Sequence, residues 1–301
     1  MTKTAQTIAV PGASLYFEVR GAGPVLLMIP GGPADAGVFE GVASRLADRY
    51  RVVAVDPRGN SRSVLDGPAV DQDLAVHADD MAAVLAAVGG GPALVLGSSG
   101  GAQIGLALAA RHPGKLRGLV AHEPPCVALL PDAEGQRAFM RDVVETYHRD
   151  GVAAAWQKFE AGTIGAASPV DRATARAAAV AAATAATTAG DGPVGPLRQT
   201  PGELAALLAR MAANRDFFFA RGVRAISSFV PDVAALRAGP VAIAVGVGAD
   251  SAGELAHRTG RALAEQLGVA PVIFPGDHVG FTVHAAGFAD TLHHTLQAQL
   301  R

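Results

Sequence analysis

The most informative stretch of this chain is Leu94-Val95-Leu96-Gly97-Ser98-Ser99-Gly100-Gly101. A short apolar run ends in the pattern Gly-x-Ser-x-Gly, and a second apolar run follows from Ala102 to Ala110. This order predicts a strand, a sharp turn and a buried helix. Gly97 and Gly101 let strand and helix approach, because a Cβ at either position would collide with the opposing backbone. The turn then exposes the Ser99 hydroxyl above the sheet, as a nucleophilic serine requires.

Composition narrows the classes of protein to which this chain can belong. Its 301 residues, half of them hydrophobic, are enough for one large domain or a domain with an insertion. The formal net charge of −2 gives no electrostatic reason to expect nucleic acid or an anionic membrane as a partner. Cys126 is the single cysteine, so an intrachain disulfide is excluded. Neither a signal peptide nor a membrane-spanning run is evident, and we expect a cytoplasmic protein.

Short apolar strands alternate with helical patterns on both sides of the serine stretch. The strands are predicted at Val25–Ile29, Arg51–Val55, Leu116–Ala121, Val241–Val247 and Pro271–Phe274. Such alternation predicts an α/β fold with a mainly parallel central sheet flanked by helices. Between Pro124 and Gly239 only helical patterns occur, at Arg137–Tyr147, Val152–Ala161, Asp171–Ala186 and Glu203–Ala213. We therefore predict a core of residues 1–123 and 240–301 and a helical cap insertion of residues 124–239.

Two further polar residues form a chemical pattern with Ser99. Asp250 and His278 each follow a predicted strand, and the carboxyl ends of parallel strands open on one crevice where distant residues converge. The order Ser99, Asp250, His278 resembles that of the α/β-hydrolase family. The resemblance covers roughly residues 25–123 and 240–301. It includes the turn Asp56-Pro57-Arg58-Gly59-Asn60-Ser61, in which we interpret Arg58 as a loop anchor.

The resemblance implies a role for each of these residues in acyl transfer. Ser99 would be the nucleophile, and His278 would take its proton and later give it to the leaving group. Asp250 would hold the imidazole in the right tautomer. The backbone N–H groups of Gly100 and Gly32 would form the oxyanion hole, since Pro33 has no N–H.

One position departs from the family pattern. The family's oxyanion loop usually begins His-Gly, whereas Pro30 precedes Gly31 here. That histidine supports the loop rather than carrying a proton, so the reaction class is retained.

Other residues compete for the roles of acid and base. Glu123 follows the strand after the serine helix and is the main alternative to Asp250, while Glu254 is expected in the first turn of a helix. His284 is the alternative to His278. Among the other candidates for pocket or structural roles are His122, Trp156 and the aromatic run 217–219. Asp277 is interpreted as a turn residue.

The sequence thus predicts a serine hydrolase that cleaves a small or medium carboxylic ester or lactone through an acyl-enzyme, in an apolar pocket. No cofactor is implied, and no Cys/His cluster suggests a metal site. Two alternatives stay open. The same three residues serve amino-end peptidases, C–C bond hydrolases and cofactor-free perhydrolases, and some proteins of this fold bind ligands with little turnover.

Overall fold

The structure is a computed structural model that describes residues 2–163 and 199–299. The strands are β1 (Thr4–Val10), β2 (Ala13–Arg20), β3 (Val25–Ile29), β4 (Arg51–Val55), β5 (Val64–Leu65), β6 (Ala93–Ser98), β7 (Leu116–His122), β8 (Ala242–Gly248) and β9 (Val272–Phe274). They form one sheet in the order β1-β2-β4-β3-β6-β7-β8-β9, with β5 paired to β2. From β4 to β9 all neighbours are parallel, and β1 and β2 add an antiparallel edge.

The described helices lie between and after these strands. They are α1 (Glu40–Leu46), α2 (Leu74–Val88), α3 (Gly100–Arg111), α4 (Ala133–Asp150), α5 (Val152–Thr163), α6 (Pro201–Phe217), α7 (Val223–Ser228), α8 (Val233–Ala238), α9 (Leu255–Leu267), α10 (Gly280–Val283) and α11 (Ala285–Gln299). A π-helical turn at Phe218–Gly222 joins α6 to α7. Within this described part of the chain, no helix has the length and apolar character needed to cross a membrane.

Helices cover both faces of the sheet, which explains why its central strands are continuous apolar runs. In β3 every residue is buried, with Leu27 and Ile29 in one core and Leu26 and Met28 in the other. The first core includes residues of α2, α3 and α9, and the second includes residues of α1 and α11. The predicted α/β-hydrolase fold, with its mainly parallel sheet, is thereby confirmed.

Among the described residues between β7 and β8, all regular secondary structure is helical. Helices α4, α5 and α6 coincide with three of the four helices predicted from the sequence. The fourth, at 171–186, lies outside the described residues. A separate apolar cluster joins α4 and α5 to the π-helical turn and α7, with Val143, Val144, Phe218 and Phe219 among its buried members. The division into core and cap remains a prediction.

Candidate active site

Ser99 occupies a strained turn between β6 and α3, as the glycine pattern predicted. Its backbone has φ 56° and ψ −126°, a conformation that L-residues rarely adopt and that is typical of functional turns. A Cβ at Gly97 would lie 2.7 Å from the Cα of Ala102, and one at Gly101 would collide with the carbonyl oxygen of Ile29. The two glycines are therefore required for the close crossing that directs the half-buried Ser99 side chain toward the cavity.

A buried carboxylate holds the predicted base. His278 follows β9, and its Nδ1 lies 2.6 Å from Oε2 of Glu123, which is fully buried at the end of β7. Ser99 and His278, both within the described residues, line the same cavity without a hydrogen bond between their side chains. Catalytic hydrogen bonds to serine often tighten only when substrate binds. The structure therefore brings together Ser99, His278 and Glu123.

The expectation that Asp250 orients His278 is corrected by this geometry. Asp250 is exposed in the turn after β8, where its backbone N–H donates a hydrogen bond to the carbonyl of Gly276 at 3.0 Å. Glu123 takes its place because its backbone turns sharply at the strand end, with φ 47°. This rare conformation directs the carboxylate under the loop that carries His278.

Glu123 is fixed by donors on its second oxygen. Oε1 accepts a hydrogen bond from the backbone N–H of Gly248 at 2.8 Å and another, short one from the Ser251 hydroxyl. Burial alone would raise the pKa of Glu123, but the hydrogen bond and charge of His278, with help from Ser251, lower it to about 2. Glu123 is consequently ionised at neutral pH, with Gly248 and Ser251 on one oxygen and His278 on the other.

The contact with Glu123 also shifts the pKa of His278. Burial opposes the charged imidazolium, yet the hydrogen bond and the negative charge of Glu123 outweigh it, so the pKa of His278 is raised. By contrast, burial lowers the pKa of His122 to about 4. His122 is fully buried, stacks 6.4 Å from His278 and contacts the Ser98 hydroxyl through Nδ1 at 3.2 Å. The neutral His122 ring thus packs against His278 on the side of the buried core.

The loop after β3 packs against the start of α3. A Cβ at Gly31 would lie 2.6 Å from the backbone nitrogen of Gly100, and one at Gly100 would lie 3.6 Å from that of Gly32. Gly32 has φ +54°, which favours glycine. Within residues 2–163 and 199–299 neither the Gly32 nor the Gly100 N–H has an acceptor. The two predicted oxyanion donors thus lie near each other, with both N–H groups available.

A large cavity opens above Ser99 and His278. It encloses about 1280 Å³, including its opening to solvent. Its walls are mostly apolar, and the side chains from the helices between β7 and β8 include Met140, Trp156, Phe159, Met211, Phe218 and Ile226. Among the described residues, the titratable side chains that line the cavity are His278 and two carboxylates, Glu160 and Glu254. Mostly apolar walls with a few polar groups are typical of pockets that bind small organic molecules.

The remaining predicted residues fall outside the hydrogen-bonded centre. His284 and Asp277 are exposed, and the Asp277 carboxylate accepts from the N–H of Val279, as a turn residue does. Arg58 binds the buried Asp80 at 2.6 Å and the carbonyl of Pro11, which makes it the expected anchor. Phe219 is core, whereas Phe217 lines a small neighbouring pocket. Ser251, which the sequence analysis did not single out, directly follows Asp250.

Comparison with known proteins agrees with this architecture. A family model described as the alpha/beta hydrolase fold matches residues 24–155. The uncharacterized hydrolase YraK of Bacillus subtilis is 32% identical over 99% of this chain and 98% of its own. An esterase from Thermogutta terrifontis shares the fold, with a TM-score of 0.71, 18% identity and 99% of each chain covered. So does Est816, an N-acyl homoserine lactone degrading enzyme, with a TM-score of 0.65, 19% identity and coverage of 96% of this chain and 99% of that one. The chain is a hydrolase that belongs to the α/β-hydrolase family.

Proposed function

We propose that this hydrolase cleaves carboxylic esters or lactones through an acyl-enzyme formed on Ser99. One observation carries the proposal. The strained Ser99 and a His278 held by a buried, ionised Glu123 open into one cavity. A weak hydroxyl nucleophile needs a neighbouring base, and that base needs an oriented tautomer. The site supplies both.

In the proposed mechanism each proton has a defined place. Because Glu123 accepts the proton of His278 Nδ1, Nε2 is left free to accept the proton of the Ser99 hydroxyl. The Ser99 oxygen attacks the substrate carbonyl carbon while the N–H groups of Gly32 and Gly100 stabilise the oxyanion. His278 then returns the proton to the departing alcohol. Water attacks the acyl-enzyme by the same route and releases the acid.

The cavity favours a neutral, largely apolar acyl group. Its aromatic and aliphatic walls bury apolar surface, whereas its two carboxylates would repel an anionic substrate. The side chains of Trp156 and Phe218 supply part of these walls, which supports our proposal that residues 124–239 act as a cap. The esterase and the lactone-degrading enzyme that share the fold are consistent with this substrate class.

The test compares wild-type protein with the Ser99→Ala variant on p-nitrophenyl esters from acetate to decanoate. We expect turnover to fall by up to about 10⁶-fold and labelling by a fluorophosphonate probe to disappear. The Ser228→Ala variant is the control, since Ser228 is exposed on α7 and outside the cavity lining. Near-wild-type turnover by Ser99→Ala would refute the proposal. Probe labelling without any ester turnover would favour another acyl chemistry, and neither activity would favour a ligand-binding protein.

A further inference from the structure

The loop that carries the Gly32 N–H is held by amide side chains. The three consecutive carbonyls of Gly32, Pro33 and Ala34 all accept hydrogen bonds from asparagine. The chain contains only two asparagines, Asn60 and Asn214, and both bind here. Both are almost completely buried, at 5% and 6% exposure. Such concentration of a rare residue around one loop requires an explanation.

Asn60 binds the loop at two points. Its Nδ2 donates to the carbonyls of Gly32 and Ala34, each at 3.0 Å. Asn60 itself is fixed in a tight turn, because its backbone N–H donates to the carbonyl of Pro57 at 2.9 Å and its carbonyl accepts from Ser63. The side chain therefore acts from a rigid base.

Asn214 binds from the helix α6, more than 150 residues away in sequence. Its Nδ2 donates to the carbonyl of Pro33 at 2.9 Å and to the Ser61 hydroxyl at 2.8 Å, and its Oδ1 accepts from the Ser61 N–H at 2.8 Å. Arg210, one turn earlier on α6, donates to the fully buried Asp35 at 2.6 Å. Helix α6 is thus hydrogen-bonded to the loop after β3 and to the turn after β4.

These contacts fix the peptide planes on both sides of Gly32. The plane that contains the Gly32 N–H is held because the Gly31 carbonyl accepts from Ala34 at 3.1 Å, and the next plane is held by Asn60. Pro30, at the start of the loop, has neither a polar side chain nor an N–H with which to contribute. A glycine at positive φ would otherwise be free to rotate.

We propose that Asn60 and Asn214 are positioning residues for the oxyanion hole, and that α6 thereby forms part of the machinery that directs the Gly32 N–H at the substrate. The inference rests on the proposed function, in which that N–H stabilises the oxyanion. It predicts that loss of either amide weakens binding of the transition state far more than binding of the ester.

The experiment uses the full-length variants Asn60→Ala, Asn60→Asp and Asn214→Ala, with Gln299→Ala as the matched control. Gln299 also bridges two backbone carbonyls, those of Leu119 and Ala242, but away from the loop after β3. Each variant is assayed with p-nitrophenyl acetate, inhibited with an aliphatic trifluoromethyl ketone, and examined by ¹H–¹⁵N NMR at the Gly32 amide. Thermal unfolding reports whether each variant folds.

We expect Asn60→Ala to lower kcat by about 10- to 100-fold, because complete loss of one oxyanion donor costs about 10²- to 10³-fold and a misdirected donor keeps part of its effect. KM should change by less than about threefold, and the ketone inhibition constant should rise in parallel with the loss of kcat/KM. The nearly isosteric Asn60→Asp should lose at least as much, since a carboxylate facing two carbonyls cannot donate. The Gly32 signal should shift in these variants and in Asn214→Ala, and stay unmoved in Gln299→Ala.

Two results would overturn the inference. One is an unmoved Gly32 signal in the folded asparagine variants, and the other is an equal loss of kcat in Gln299→Ala. If the wild-type protein cleaves no ester and Ser99 is not labelled, the proposed function fails. The Gly32 signal then decides alone whether the two asparagines position the loop.

Discussion

Replacing Glu123 by glutamine tests the identity of the acid most directly. Oε1 of Glu123 faces two donors, the Gly248 N–H and the Ser251 hydroxyl, so the single oxygen of glutamine will take that place. The new NH₂ group must then face Nδ1 of His278, 2.6 Å from Oε2 in the structure. Because NH₂ donates, Nδ1 becomes an acceptor and the ring proton moves to Nε2. His278 then cannot accept the proton of Ser99.

This wrong tautomer sets the expected magnitude. Exchange of the orienting carboxylate for its amide in a serine triad lowers kcat by about 10⁴-fold, equivalent to about 5.4 kcal/mol of transition-state stabilisation. The assay is kcat for the best p-nitrophenyl ester, measured on Glu123→Gln protein whose folding is verified by circular dichroism. Some loss of thermal stability is expected, since the substitution removes a buried charge that is paired with His278.

Asp250→Asn is the matched control, since it makes the same chemical change on an exposed side chain. We expect its kcat to stay within about threefold of wild type, as for most surface substitutions. The reasoning is refuted if Glu123→Gln retains more than a tenth of wild-type kcat. It is equally refuted if Asp250→Asn shows the larger loss.

Further outcomes follow from the same site and its surroundings. Since the pKa of His278 is raised above about 6.5 and the neutral ring is the base, kcat/KM should fall as pH drops through that raised value. In Glu123→Gln the residual activity should fall at lower pH than in wild type, because the negative charge that favours the imidazolium is gone. Gly101→Ala should lower the free energy of unfolding by about 1–3 kcal/mol in urea titrations, because its Cβ would meet the Ile29 carbonyl. Trp156→Ala should shift the preferred p-nitrophenyl ester toward longer acyl chains by enlarging the cavity, and an unchanged chain-length profile would remove Trp156 from the substrate pocket.

The fold was predictable because its central strands are buried on both faces and therefore read as continuous apolar runs. Val25–Ile29 is the clearest example, and the glycine pattern around Ser99 was equally direct, since only glycine fits its tight crossing. The position of His278 after a short strand was also evident.

The choice of acid was less accessible to sequence reasoning. Strand-end placement fits both Asp250 and Glu123, and the distinction lies in a backbone rotation at Glu123 and in donors from 248–251, more than 120 residues away. The roles of Asn60 and Asn214 likewise depend on contacts between distant segments.

The location of Glu123 at the end of β7 has a consequence for the evolution of the chain. Ser99 and Glu123, our proposed nucleophile and acid, directly follow the adjacent strands β6 and β7, and both precede the helical segment that separates β7 from β8. Of the three residues, His278 is the one that comes from beyond that segment. Under the proposed mechanism, lengthening or exchanging the intervening helices would therefore alter substrate preference while the spacing between Ser99 and Glu123 stays the same.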